Sequence, residues 1–92
     1  MSQPVHETGS FSNISTSTLV KSGAGKLLGI FCASASSTPT IKVWDSLAAS
    51  GTVVVNTFTP IPGNYHAIPA DVGTGIYVTI SGTVDCTVFF SA

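Results

Sequence analysis

Apolar and polar positions alternate most regularly near the C-terminal end of the chain. Ile76, Val78 and Ile80 alternate with Tyr77 and Thr79. After Ser81-Gly82, Val84, Cys86, Val88 and Phe90 alternate with Asp85, Thr87 and Phe89. A period of two with one apolar side is what a half-buried strand requires, because successive side chains point to opposite faces. Gly82 can take the positive φ of a tight turn. The stretch from Gly73 to Phe90 therefore predicts an antiparallel hairpin that turns at Ser81-Gly82 and lays one face on a core.

The same pattern, more weakly expressed, runs through the rest of the chain. Phe11 to Ser22 predicts one strand, with Ile14, Thr16, Thr18 and Val20 on one side and Ser15, Ser17 and Leu19 on the other. Ser22-Gly23-Ala24-Gly25 is a turn. Lys26 to Ser34 predicts a strand with Leu28, Ile30 and Cys32 on one face and Leu27, Gly29 and Phe31 on the other. Both faces are apolar, which places it centrally in a sheet, and Gly29 marks a bulge or a close approach by another backbone.

Ala35 to Pro39 predicts a loop, since Pro39 has no N–H for a ladder. Thr40 to Asp45 predicts a strand with Ile41 and Val43 inward and Lys42 and Trp44 outward. Leu47 to Gly51 has room for one helical turn, too short to stand alone. Thr52 to Thr59 predicts a strand that Pro60-Ile61-Pro62-Gly63-Asn64 ends. Tyr65 to Ile68 is a short extended stretch before Pro69, and Asp71 to Thr74 leads into the hairpin. Residues 1–10 lack periodicity and read as an N-terminal arm; residues 11–92 form the domain. About seven strands at roughly the 8–12-residue spacing of a sandwich, with no amphipathic helix, predict an all-β fold. The expected architecture is a small antiparallel β-sandwich, with a jelly-roll-like arrangement as one form of it.

Charge changes this picture. Only 8% of the 92 residues are charged, against about 25% in an ordinary soluble domain. The chain has three Lys, no Arg, four acidic residues and a formal net charge of −1. Nucleic acid is not an expected partner, because phosphate binding needs clustered Lys or Arg, and there is no polybasic patch for a membrane. No run approaches the ~20 apolar residues of a membrane-spanning helix. Met1 to Glu7 has neither the basic nor the apolar region of a secretory signal, so assembly in the cytoplasm is the expectation. A surface of Ser, Thr, Gly and apolar atoms is poorly defended against association. This favours a homo-oligomer or a larger assembly over a monomer.

Candidate chemistry is sparse. Cys32 and Cys86 lie on separate expected strands at no metal-binding spacing. They read as buried thiols, with a disulfide as the alternative. The histidines are His6 and His66, and the acids are Glu7, Asp45, Asp71 and Asp85. No Gly-x-Ser-x-Gly elbow accompanies them, and neither a paired carboxylate site from Asp45 and Asp85 nor a metal cluster is signalled. The expectation is no enzyme, no catalytic residue, no cofactor and no metal. Trp44, Tyr65 and Tyr77 fall on outward faces or loops. They are the candidate interface residues, as protein-contact anchors or as sugar-stacking platforms.

Three phrases carry a resemblance: Leu19-Val20-Lys21-Ser22-Gly23-Ala24-Gly25-Lys26-Leu27, Thr38-Pro39-Thr40-Ile41-Lys42-Val43-Trp44-Asp45 and Gly75-Ile76-Tyr77-Val78-Thr79-Ile80-Ser81-Gly82-Thr83. Together they resemble the small β-sandwich virion structural proteins of tailed bacteriophages, which decorate or cement the head or build the neck and fibres. The resemblance spans most of residues 14–90. It implies a non-enzymatic structural protein located in the virion and assembled in the host cytoplasm. Its implied partners are the major capsid protein or other virion proteins and further copies of itself, a trimer being one such oligomer. The alternative is a carbohydrate- or host-surface-binding module of fibre or lectin-like type.

Overall fold

The computed structural model describes residues 9–91, and these are all-β and antiparallel with no helix among them. The expectations for His6, Glu7 and most of the N-terminal arm lie outside the described residues. The strands are β1 (Ser10–Ile14), β2 (Thr18–Ser22), β3 (Gly25–Asp45), β4 (Thr52–Phe58), β5 (Tyr65–Val72) and β6 (Gly75–Ser91).

β3 and β6 have 21 and 17 residues, several times the usual ~5–6, and they pair with each other from end to end. β1 and β5 flank one half of this central pair, giving the order β1-β6-β3-β5. β2 and β4 flank the other half, giving β2-β6-β3-β4. The sheet bends between the halves and curls into a half-barrel, a small β-sandwich. Leu27, Ile30, Cys86 and Val88 of the first half share one buried cluster with Ile41, Val43, Ile76 and Val78 of the second.

The bend replaces two expected features. Ser81-Gly82 is not a hairpin turn: β6 runs straight through it. Ala35 to Pro39 is not a loop: β3 runs through it as well. The β3–β6 register slips between Cys32 and Ser34 and again between Ser36 and Thr40, and extra residues in one strand bend and twist a ladder. Thr38 (φ 48°) and Gly82 (φ 89°) take the left-handed backbone there. Pro39 sits where the ladder is already interrupted, so its missing N–H costs no strand bond. A third slip, between Leu27 and Gly29, is the bulge that Gly29 announces. It turns Leu27 inward beside Ile30 and Cys32 and leaves Leu28 outside with Phe31, which corrects the expected facing of that strand.

The expected strand over Phe11 to Ser22 is two strands. It breaks at Ser15–Ser17, level with the bend, where the Ile80 N–H donates to Ser17 Oγ at 2.9 Å. Leu47 to Gly51 forms a non-helical bend. β5 continues through Pro69 because it is an edge strand, hydrogen-bonded only to β3.

Candidate functional site

The outer face of the first half-sheet carries an apolar groove of about 760 Å³, lined by Gly9, Phe11, Leu28, Phe31, Tyr65 and Phe89. Strand register assembles it. Phe11 of β1 lies opposite Phe89 of β6, Phe89 lies opposite Gly29 of β3, and Phe31 of β3 lies opposite Tyr65 of β5. Gly29 makes the groove possible, because a Cβ there would collide with the Tyr65 ring and hydroxyl. The Tyr65 ring therefore lies across bare backbone and meets Phe89 edge-on, with centroids 6.0 Å apart and planes at 68°. Phe11, Tyr65 and Phe31 are 67%, 50% and 36% exposed. Among the described residues no charged side chain lines the groove.

The three expected interface aromatics do not form one platform. Tyr65 belongs to this groove. Trp44 and Tyr77 face each other on the outside of the other half-sheet, in a row that runs from Leu19 through Tyr77 and Trp44 to Val53. The Trp44 indole is occupied there. Its Nε1–H donates to Thr79 Oγ1 at 3.2 Å, and Lys42 Nζ sits 4.4 Å from its ring centroid. Sequence reasoning missed Phe11, Leu28, Phe31 and Phe89. The signal for Phe31 and Phe89 was an apolar residue on the face opposite the core, Leu28 reaches that face only through the bulge at Gly29, and which of the four adjoin depends on pairing between distant strands.

The ionisable groups do structural work. His66 points inward, its ring 5.6 Å from that of Phe58. Its Nε2 accepts from the Ile61 N–H at 3.2 Å, which fixes the proton on Nδ1, and Nδ1–H donates to the Ile30 carbonyl at 3.3 Å. Both nitrogens are thus engaged in joining the β4–β5 connection to β3. Asp85 pairs with Ser34 near the bend, whereas Asp45 ends β3, so the two are not brought together. Among the described residues no three His, Cys, Asp or Glu converge as metal ligands.

The Asp45 carboxylate ties β3 to the β5–β6 turn. It accepts from the N–H groups of Gly73 (3.0 Å), Thr74 (2.8 Å) and Gly75 (3.3 Å). Hydrogen bonds from Gly73 and then Thr74 hold its pKa below the usual carboxylate value, against a smaller opposing effect of burial. A depressed folded pKa stabilises the fold above the unfolded value of about 3.9, and this contribution is lost as pH falls toward the folded value. Asp45→Asn is expected to cost about 1 kcal/mol at neutral pH, the residue being only partly buried. Melting curves of both proteins against pH check this. The gap between them should be full at pH 7 and should close below about pH 4.

In comparisons with family models, curated proteins and solved structures, nothing matches the chain.

Proposed function

We propose that this chain is a non-enzymatic virion structural protein of a tailed bacteriophage. Its role is that of a decoration or cement protein, which binds the major capsid protein on the head surface and stabilises the particle. The observation that carries this reading is the aromatic groove on the outside of a small sandwich, whose described lining residues carry no charge. Large aromatics left substantially exposed around a cleft, as Phe11, Tyr65 and Phe31 are here, are the kind of anchor that concentrates binding energy in protein interfaces. The low charge of the whole chain supports a surface meant to be covered, and the resemblance of its strand and turn phrases to phage virion proteins names the assembly. Copies of the chain pack beside one another on the same lattice in this reading, as a homo-oligomer. The carbohydrate-binding alternative has less support, because Trp44 and Tyr77 lie on a different face from Tyr65 and the Trp44 ring already carries Lys42.

The test is a copy number. Quantitative mass spectrometry of purified particles from the source should find this chain at a level comparable to the major capsid protein. A level lower by an order of magnitude would move it to the neck, tail or fibre, and absence would overturn the reading. The groove itself is tested with Phe31→Ser/Tyr65→Ser. Both side chains are substantially exposed, so melting should change little. Incorporation into particles should fall at least about tenfold, the loss expected of interface anchors.

A further inference from the structure

Cys32 and Cys86 stand directly opposite each other across the two central strands. Both are fully buried on the core face and both are free thiols. Backbone hydrogen bonds set their separation. The Cys32 N–H donates to the Asn64 carbonyl at 3.0 Å, and the Cys32 carbonyl accepts from the Gly63 N–H at 2.7 Å. In an antiparallel ladder the N–H and C=O of one residue point to the same side, so Cys32 makes its bonds away from β6. Cys32 and Cys86 are therefore a non-hydrogen-bonded pair, the close kind, with Cα atoms about 4.5 Å apart. That separation falls within the ~4.4–6.8 Å that disulfides span. In the reduced protein the sulfurs make only long contacts, Cys32 Sγ to the Ser34 carbonyl at 3.6 Å and Cys86 Sγ to the Ile14 carbonyl at 3.7 Å. A bond between them would sacrifice little.

We propose that Cys32 and Cys86 are an oxidation site that closes to a cross-strand disulfide, clamping β3 to β6 beside the bend. The oxidant is a low-molecular-weight disulfide of the glutathione type. One cysteine thiolate attacks it, forming a mixed disulfide and expelling one small thiolate. The second cysteine thiolate then attacks the protein sulfur of that mixed disulfide and expels the other. Two protein thiols are oxidised, one small disulfide is reduced to two thiols, and the two protons pass from the cysteines to the departing thiolates.

Burial governs when this happens. It is the first cause, with the neighbouring Cys32 and Asp85 adding to it, that pushes the Cys86 thiol up to about 11. The thiolate is the attacking species, so the closed reduced fold resists exchange. The bond forms as the strands come together in folding, or whenever they open. It encloses the second half of β3, all of β4 and β5 and the first half of β6, so it removes much of the freedom of the unfolded chain.

The test refolds the reduced full-length chain from urea in oxidised glutathione. The expected product is a chain with no intermolecular disulfide, lighter by two hydrogen atoms, with no thiol titratable in denaturant and the circular dichroism spectrum of the reduced protein. Its melting temperature should be higher by roughly 10–20 °C, and dithiothreitol in urea followed by refolding should abolish the gain. A refolded protein that keeps two thiols, carries glutathione adducts or links into dimers would overturn the proposal. So would an intramolecular disulfide that lowers the melting temperature or changes the spectrum, since the native strands would then not hold the bond.

Discussion

Val78→Asp is expected to leave the chain unfolded. Val78 has no exposed surface and sits in β6 between Thr18 of β2 and Val43 of β3, paired on both sides. No buried polar or charged side chain exists among the described residues to receive a carboxylate. Burying a carboxyl group without a partner costs roughly 2–7 kcal/mol even when it is neutral, and the lost valine burial adds about 1.5–3 kcal/mol. A domain of this size holds about 5–15 kcal/mol in total, so most or all of the stability is consumed. Circular dichroism should show no cooperative melt. The next residue gives the contrast. Thr79 lies on the outer face opposite Lys42, where it donates to the Lys42 carbonyl and accepts from Trp44 Nε1–H. Thr79→Asp should cost about 1 kcal/mol and melt cooperatively, because its carboxylate keeps an indole donor and gains a lysine. A cooperative melt for Val78→Asp would mean that the faces of β6 are reversed.

That contrast was legible in the sequence, since alternation along β6 is local and reports directly which side chains face the core. Continuity was not legible. A glycine between two alternating runs looks the same whether the chain reverses there or kinks and continues, and the partner decides which. Here the partner is β3, far away in sequence, and it pairs with both halves of β6 on either side of the interruption at Pro39. The same limit hid the run of β3 through Pro39 and turned Leu27 inward against a strict period of two. Gly29 was readable as a bulge because a glycine within a strand has few other uses. The groove was not readable as a whole. Tyr65 stood out as an exposed aromatic, but Phe11, Phe31 and Phe89 become its neighbours only through the pairing of β1 with β6 and of β3 with β5. Chemistry was legible mainly as scarcity. The sequence held few ionisable groups, and the structure spends Asp45 and His66 on holding turns in place.

Gly82→Val is expected to be the most damaging change outside the core. Gly82 has φ 89°, a conformation that costs an L-residue roughly 1–2 kcal/mol and a β-branched one more. It is also pressed against β3, where a Cβ would lie 2.8 Å from Pro39 Cα and 3.2 Å from Pro39 Cβ. Those are atoms of a buried ring and its backbone, held by the register slip at the bend, and they cannot swing aside as a long side chain would. Backbone strain and overpacking together should remove about 3–5 kcal/mol, which urea unfolding would record as a large fall in midpoint. Gly82→Ala and Gly23→Ala separate the two causes. Gly23 has φ 97° with open space around it, so its alanine variant measures the backbone cost alone, about 1–2 kcal/mol. Gly82→Ala should exceed that by at least about 1 kcal/mol, the cost of forcing a methyl into a packed contact. Equal losses at the two sites would mean that Pro39 can yield. The two half-sheets would then be held at their angle by the shared core and the Asp45 tie rather than by the close approach of β6 to β3 at Gly82.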